Sequence, residues 1–366
     1  MFAKFSFTVR ACGVAGCVAG AAAAVAGWTS AEQNNHVMLA SSAYMAQQIT
    51  PNISLDSSAG DMRHRMEGLI LRTQKDLCDA LSKIDGKEFR VDRWLRPNEG
   101  GGGISCVLQD GKVFEKAGVN ISVVKGVLPP EAVKQMRARG HSALKEGESL
   151  PFFACGVSSV IHPRNPFVPT LHFNYRYFEV ISDNQRIWWF GGGTDLTPYY
   201  LDETDAKHFH STLEKACRPH NPSFYQRFKK TCDNYFVIKF RGERRGVGGI
   251  FFDDMDQPSA DACYQFVDSC AKSVIPSYIP IVKRHYRDPY TDRHRQWQLL
   301  RRGRYVEFNL VYDRGTKFGF NTPGARIESI LMSLPLEARW EYMHEPEPNS
   351  PEGKMMAVLK NPRDWI

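Results

Sequence analysis

Apolar or aromatic residues alternate with polar residues along the chain from Leu171 to Val180. Successive side chains of an extended strand point to opposite faces of a sheet. We name the two faces of this strand by what they carry. The core face has Leu171, Phe173, Tyr175 and Tyr177, and the polar face has His172, Asn174 and Arg176. We expect the core face to pack and the polar face to do chemistry.

A second strand is expected to return antiparallel to the first. Residues 182–184 (Ser-Asp-Asn) tolerate tight turns, and the aromatic run at 187–190 (Ile-Trp-Trp-Phe) is typical of a strand. Pairing that is symmetric about residue 183 places Leu171 opposite Asp195 and brings Asp195 out beside His172. The pattern therefore predicts a hairpin with an ionisable pair on its polar face.

Three glycines, residues 191–193, follow the aromatic run. A backbone without Cβ lets a ligand or a kinked strand approach closely, but glycines after a strand are also common in plain turns. The residues alone leave both interpretations open.

Periodicity elsewhere predicts a mixture of helices and strands. Apolar positions at helical spacing predict a helix over 62–84 capped by Asp61, and Asp110-Gly111 marks a turn between strands within 89–126. Further helices are predicted at 130–144, 205–217, 224–233, 259–275, 276–286 and 327–334, and further strands at 235–240 and 304–312. Between them an apolar run at 250–252 ends in Asp253-Asp254. Because strands and helices do not alternate regularly, the fold class is α+β with a large, mainly antiparallel sheet.

The first 30 residues differ in composition from the rest. They contain Lys4 and Arg10, no acidic residue, and a small-residue apolar run from 11 to 27. This pattern is typical of a targeting segment, either a secretory signal or the sorting part of a mitochondrial presequence. Residues 31–60 are polar and predict a flexible lead-in. The remainder, 61–366, has no linker and is expected to form one large domain or two closely packed ones.

Composition excludes several classes of protein. The chain has 366 residues, a net charge of +7, and nine cysteines without CxxC pairs. The cysteine spacing argues against a disulfide framework and a structural zinc site, and no phosphate-binding loop motif is present. The basic excess suits an anionic partner, yet a nucleic-acid-binding module is a weak alternative because no recognition motif accompanies it.

Arginines and histidines supply the candidate chemistry. Arg176, Arg326 and the arginines within 241–245 and 301–304 could bind carboxylates in bidentate fashion. The arginines within 241–245 and 301–304 could instead be solvated or paired with acidic neighbours at 243, 253 and 254. His172 and Asp195 could be acid–base partners. Alternatively, His162, His172, Asp195 and His210 could supply a two-His-one-carboxylate metal site, which is typical of a metal-dependent oxygenase.

Six long motifs lie between residues 61 and 365. They are GGGGISCVLQDG at 100–111, GVSSVIHPRNPFVPTLHFNYRYFE at 156–179, WWFGGGTDLTPYY at 188–200, RGERRGVGGIFFDD at 241–254, RRGRYVEFNLVYDRGTKFG at 301–319, and ESILMSLP at 328–335. With these motifs the chain closely resembles the oxygen-dependent coproporphyrinogen III oxidase family, and the resemblance implies a single catalytic domain over 61–366. The resemblance implies oxidative decarboxylation of two propionates of coproporphyrinogen III to vinyl groups, giving protoporphyrinogen IX in haem biosynthesis.

The resemblance also implies an architecture and a set of partners. The expected fold is a sheet of about seven antiparallel strands flanked by helices on both faces. Dioxygen is the oxidant, and neither a metal nor an organic cofactor is implied. We expect a homodimer formed through residues 107–116 and 306–342, no nucleic-acid partner, and a location in the mitochondrial intermembrane space, with peripheral membrane association left open.

The family pattern assigns roles to individual positions. His172 is implied as proton donor, Asp195 as the group facing the pyrrole nitrogens, and Arg176 as a further catalytic residue. From this placement we expect Asp195 to take a pyrrole NH proton. Substrate contacts are implied at Ser158, Asn174, Tyr175, Arg176, Gly324, Ala325 and Arg326. Some bacterial members have been assigned four metal-binding histidines; three match His162, His172 and His210, but the fourth position is Phe240. No metal residue is therefore predicted.

Overall fold

A single antiparallel sheet organises the computed structural model, which describes residues 49, 61–96, 100–321 and 325–366. Its seven strands lie in the order β1-β2-β3-β4-β5-β6-β9, so only β9 enters out of sequence. The strands are β1 (Arg90–Leu95), β2 (Gly101–Gln109), β3 (Phe114–Leu128), β4 (Leu150–Pro163), β5 (Thr170–Ser182), β6 (Gln185–Thr197) and β9 (Gly248–Met255). A separate two-stranded ribbon pairs β7 (Val237–Ile238) with β8 (Glu243–Arg244).

Nine helices accompany the sheet within the described residues. They are α1 (Met62–Asp85), α2 (Pro130–Ala138), α3 (Glu203–Cys217), α4 (Phe224–Tyr235), α5 (Ala260–His285), α6 (Asp292–Val311), α7 (Arg314–Asn321), α8 (Ile327–Leu331) and α9 (Pro351–Lys360). Helix α1 begins as predicted, because the Asp61 carboxylate accepts a hydrogen bond from the Arg63 amide at 3.0 Å. It ends at Gly86, whose φ of 80° is left-handed.

Helices cover both faces of the sheet, as expected. On the core face, α1 and α5 pack against the central strands, and Phe173, Tyr175 and Tyr177 join one large apolar cluster with them. On the polar face, Tyr305 of α6 packs edge-on against His162 of β4 with ring centroids 5.2 Å apart. Helix α2 covers one end of that face through a smaller apolar cluster. The predicted α+β class is confirmed.

Some predicted elements are wrong. The strand predicted at 304–312 is instead the end of α6 with its cap residue Tyr312, and the two helices predicted within 259–286 are one helix, α5, that continues through Pro276 and Pro280. The predicted strand at 235–240 is reduced to the two residues of β7 followed by a 3-10 turn. Helix α2 ends at Ala138 rather than near residue 144. Strand propensity depends strongly on context, so the short alternating pattern at 304–312 did not distinguish a strand from a helix.

The targeting segment (1–30) and almost all of the lead-in (31–60) lie outside the described residues, so both stay predictions. Within the described part of the chain, no helix has the length and apolar character needed to cross a membrane. The seven cysteines in this part are buried free thiols.

Candidate active site

The hairpin of β5 and β6 forms as predicted, but its register differs by one residue. Asp183 and Asn184 both have positive φ values, 49° and 59°, so a two-residue turn connects the strands. A two-residue turn is centred between residues 183 and 184 rather than on residue 183. Leu171 therefore pairs with Leu196, and His172 lies directly opposite Asp195. The corrected register places both ionisable side chains on the polar face more directly than the predicted one.

His172, Asp195 and Arg245 are joined by short polar contacts. The His172 Nδ1 atom lies 2.6 Å from Asp195 Oδ1. Arg245 Nη2 donates to Asp195 Oδ2 at 2.8 Å and to Oδ1 at 3.0 Å. The side chains of Asp195 and Arg245 are 3% and 2% exposed, whereas that of His172 is 15% exposed. The ion pair is thus internal, and the histidine is its link to the surface.

Aromatic rings enclose the guanidinium of Arg245. Its Cζ lies 4.1 Å from the ring centre of Phe236, 4.7 Å from that of Tyr305 and 4.9 Å from that of Phe308. Nη1 of Arg245 also donates to Asn309 Oδ1 at 3.1 Å. Cation–π contacts compensate part of the cost of removing a guanidinium from water.

Electrostatics keep this pair ionised. Burial alone would raise the pKa of Asp195, but the charge of Arg245 and the contact with His172 hold it below its usual range. Burial is the largest influence on the pKa of Arg245 and would lower it, but the charge of Asp195, the nearby Tyr305 and the hydrogen bonds to Asp195 together raise that pKa. Asp195 is therefore an ionised carboxylate. It accepts hydrogen bonds and is a weak base.

The ionised carboxylate fixes the tautomer of His172. Because Asp195 Oδ1 can only accept, the hydrogen of their 2.6 Å contact belongs to Nδ1 of His172. The approach of Arg245 Nη2 to the same nitrogen, at 3.2 Å, is consequently a contact between two donors. Nε2 is the ring nitrogen that the contact with Asp195 does not use.

Arg176 lies further along the polar face of β5 and is held from two sides. Its Nη1 donates to Asn174 Oδ1 at 2.5 Å, and its Nη2 donates to Asp253 Oδ1 at 2.8 Å. The guanidinium spreads over Gly191, where an added Cβ would lie 2.7 Å from Asp253 Oδ1 and 2.8 Å from Arg176 Nε. The three glycines lie inside β6 and not in a turn, and at Gly191 the missing side chain makes room for this ion pair.

Ser158 and Tyr175 occupy different environments. Ser158 pairs with Asn174 across β4 and β5, so it shares the polar face and is partly buried. Tyr175 lies on the core face, fully buried, and its hydroxyl bonds to Thr194. A substrate contact by Tyr175 would have to come from its backbone, and both assignments stay predictions.

The predicted contact region at 324–326 is described only in part. Gly324 lies outside the described residues, and Ala325 is partly buried just before α8. Arg326 forms an ion pair with Asp92 of β1, and its side chain is 28% exposed. Arg326 therefore lies near the opposite edge of the sheet from Asp253, which belongs to β9.

The four residues considered for a metal site do not converge. Nε2 of the buried His162 contacts the carbonyl of Ser333 at 2.9 Å. Both ring nitrogens of His210 are committed, to the Tyr225 hydroxyl at 2.9 Å and the Val247 carbonyl at 3.1 Å. Burial lowers the pKa of His210 to about 3. Among the described residues, the three potential ligands that do approach within 4.8 Å are Asp202, Asp205 and His285. Asp205 there already contacts His285 Nε2 at 3.1 Å and pairs with Arg284.

Arg245 is the functional candidate that sequence reasoning did not single out. It was one arginine among several, and most of the others pair with acidic residues: Arg301 with Glu243, and Arg241 with Glu307. The signal was present in α6, because Tyr305, Phe308 and Asn309 have the i, i+3, i+4 spacing of one helix face. Interpreting that segment as a strand concealed the face that surrounds Arg245.

The fold and site together define an α+β protein with a His172–Asp195 contact, a buried Arg245–Asp195 ion pair and the partly exposed Arg176 on one face of an antiparallel sheet. Residues 65–365 match the family model described as coproporphyrinogen III oxidase. The chain is 66% identical over 335 residues to the oxygen-dependent coproporphyrinogen-III oxidase of Drosophila melanogaster, covering 91% of this chain and 85% of the relative. The mitochondrial human enzyme of that name is 60% identical over 337 residues (92% and 74%), and the chloroplastic coproporphyrinogen-III oxidase 1 of Arabidopsis thaliana is 55% identical over 327 residues (88% and 83%). The chain belongs to the coproporphyrinogen III oxidase family.

Proposed function

We propose that this protein converts two propionate side chains of coproporphyrinogen III to vinyl groups, giving protoporphyrinogen IX in haem biosynthesis. In each step a propionate, dioxygen and one proton become a vinyl group, carbon dioxide and hydrogen peroxide. The bond to the carboxylate breaks, two electrons pass to dioxygen, and the ring side chain is oxidised. Family membership supports the reaction, and the substrate's four carboxylates match the arginines of the polar face.

The observation that carries the proposal is the His172–Asp195–Arg245 arrangement beside Arg176 on one sheet face. Each decarboxylation consumes a proton, and His172 is the titratable group between the buried ion pair and the surface. We assign proton transfer to His172 Nε2, with Asp195 orienting the ring and Arg245 keeping Asp195 ionised. This modifies our expectation that Asp195 itself takes a pyrrole proton, because both of its oxygens already accept bonds.

Arg176 is proposed to hold a propionate near the reacting centre, with Ser158 and Asn174 as neighbouring contacts on the same face. Orientation of this kind raises the rate by keeping reacting groups in a productive arrangement. Ala325 and Arg326 are proposed to bind another part of the macrocycle near the β1 edge of the sheet, and Gly324 and the backbone of Tyr175 remain assigned through the family pattern.

The electrons in this scheme come from the substrate. A porphyrinogen is built of electron-rich pyrroles, so it can reduce dioxygen without an organic redox cofactor. We therefore propose dioxygen as co-substrate and no metal. A chelator should leave turnover unchanged, and stoichiometric iron or manganese together with chelator sensitivity would refute this part.

We propose a mitochondrial location in the intermembrane space and a homodimer. Relatives from human, rat and mouse are named mitochondrial, and the basic, apolar start of this chain fits that route. The dimer is proposed to form through residues 107–116 and 306–342. Large apolar side chains are exposed in the second segment, among them Phe318 (57%) and Trp340 (54%), which suits a protein interface or peripheral membrane contact.

The direct test is incubation of the purified protein with coproporphyrinogen III in air and under nitrogen. The products are then oxidised to porphyrins and separated by liquid chromatography with fluorescence detection. This distinguishes porphyrins that carry four, three and two carboxylates. The proposal expects the two-carboxylate product in air and none under nitrogen. Equal conversion under nitrogen, or none in air, would overturn it.

A further inference from the structure

Asp253 of β9 connects two arginines that come from separate parts of the chain. Its Oδ1 accepts from Arg176 Nη2 of β5 at 2.8 Å, and its Oδ2 accepts from Arg314 Nη2 of α7 at 3.1 Å. The Asp253 side chain is only 17% exposed, while those of Arg176 and Arg314 are 38% and 49% exposed. The carboxylate is thus shielded below two guanidiniums that reach the surface.

Independent features keep this arrangement in place. The Asp254 amide donates to Asp253 Oδ1 at 3.1 Å. The guanidinium of Arg314 also lies over the ring of Tyr235, with Cζ 4.9 Å from its centre. Gly191 leaves the space above β6 that the Arg176–Asp253 pair fills. Burial alone would raise the pKa of Asp253, but the charge of Arg176 and then that of Arg314 lower it, so the bridging group stays ionised.

One carboxylate between two guanidiniums leaves a positive excess. Each guanidinium has five N–H donors, and Asp253 uses one from each arginine. Asn174 uses one more from Arg176. The remaining donors lie on half-exposed groups held side by side, an arrangement that binds carboxylates well because little side-chain order has to be gained on binding.

We propose that Asp253 is a positioning residue, which holds Arg176 and Arg314 together as a subsite for one carboxylate of the substrate. This inference rests on the proposed function and adds Arg314 to the groups that contact substrate. It also explains why a buried negative charge occurs beside an anion-binding face. The negative charge of Asp253 weakens the attraction of the subsite for an anionic substrate, but it fixes the direction of both arginines.

The separate effects of an Asp253 substitution on kcat and on KM show whether Asp253 positions the arginines or only changes the charge of the subsite. In Asp253→Asn the two guanidiniums lose their shared anion, so the net charge of the subsite rises and binding should be maintained or strengthened. Their direction is no longer fixed, and a displacement of about 1 Å can cost about 100-fold in rate. We expect kcat to fall at least about tenfold, while KM rises by no more than about threefold.

The experiment compares Asp253→Asn, Asp253→Glu and Asp254→Asn with the wild-type protein. Asp254→Asn is a matched control because it removes the same charge one residue away. The Asp254 side chain contacts His141 and Arg139 rather than Arg176 and Arg314. Asp253→Glu should recover part of the lost kcat, and Asp254→Asn should keep it within about twofold. Unchanged kcat in Asp253→Asn, or an equal fall in Asp254→Asn, would overturn the proposal.

Binding of coproporphyrin III, the unreactive oxidised macrocycle, tests the subsite without turnover. Fluorescence titration should show at least about tenfold weaker binding for Arg176→Gln and for Arg314→Gln, since each removes a charge-assisted hydrogen bond. Unaltered binding in both variants would refute the subsite. If wild-type protein binds the macrocycle in this manner but shows no turnover in air, the proposed function fails and the subsite does not.

Discussion

Replacing Arg245 by Met should damage both stability and activity, because it breaks a buried ion pair and keeps most of the side-chain volume. Asp195 would lose its charged partner while 3% exposed, with His172 as its remaining donor. Removing one partner of a buried pair costs about 3–5 kcal/mol. We expect a loss in this range in the free energy of unfolding at neutral pH, and a large fall in kcat.

The pH dependence of that loss follows from the pKa of Asp195. In the wild type the pKa is lowered, so the stabilisation is present above the unfolded-state value of about 3.9 and is lost as pH falls through the folded value. In Arg245→Met burial is no longer offset, and the pKa should rise. Protonation then relieves the variant on acidification, so the stability difference between the two proteins should shrink as pH falls.

Urea unfolding followed by tryptophan fluorescence at pH 7.5 and pH 5 measures both effects. Arg241→Met is the control from the same loop, since Arg241 is 38% exposed in its pair with Glu307. An exposed pair contributes about 1 kcal/mol or less. A double-mutant cycle with Asp195→Asn should give a coupling energy of about 2–3 kcal/mol. Equal losses in the two arginine variants, or coupling below about 0.5 kcal/mol, would refute the reasoning.

Three further predictions concern other parts of the molecule. Gly191→Ala should cost about 1–3 kcal/mol of stability and lower kcat, because the new methyl displaces Arg176 from Asp253; thermal unfolding and initial rates check this. His210→Gln should make stability fall less steeply as the pH decreases from about 6.5 to 3. In that range the unfolded wild type binds a proton that the buried imidazole, with a pKa of about 3, does not bind. If the urea midpoint fell equally in both proteins between pH 7 and pH 5, the prediction would be contradicted. Phe318→Glu should shift a dimer towards monomer in sedimentation experiments if the 306–342 segment forms the interface.

The sequence predicted the hairpin well because its information is local. Alternation along β5 defined the two faces, and the Asp183-Asn184 pair marked the turn. Register failed by one residue because it depends on the number of turn residues, which composition does not determine. The buried tyrosines and the polar His172 were nevertheless assigned to the correct faces, since a one-residue shift of the partner strand leaves β5 itself unchanged.

The arginine site could not be predicted in the same way, because it depends on contacts between distant segments. Arg245 follows the β7–β8 ribbon, while the rings around it come from Phe236 and from α6. The segment RRGRYVEF fits a strand or a helix locally, and only the continuation back to Asp292 favours the helix. Likewise, nothing near Asp253 in the sequence indicates its pairing with Arg176, 77 positions away.

Turnover and affinity in Asp195→Asn test the account most directly. The amide keeps the size of the side chain but removes its negative charge. That charge fixes the His172 tautomer and is stabilised by Arg245. The account predicts that kcat for coproporphyrinogen III in air falls at least about 100-fold, while affinity for coproporphyrin III changes by no more than about threefold. Wild-type kcat in this variant, or a loss confined to affinity, would contradict it.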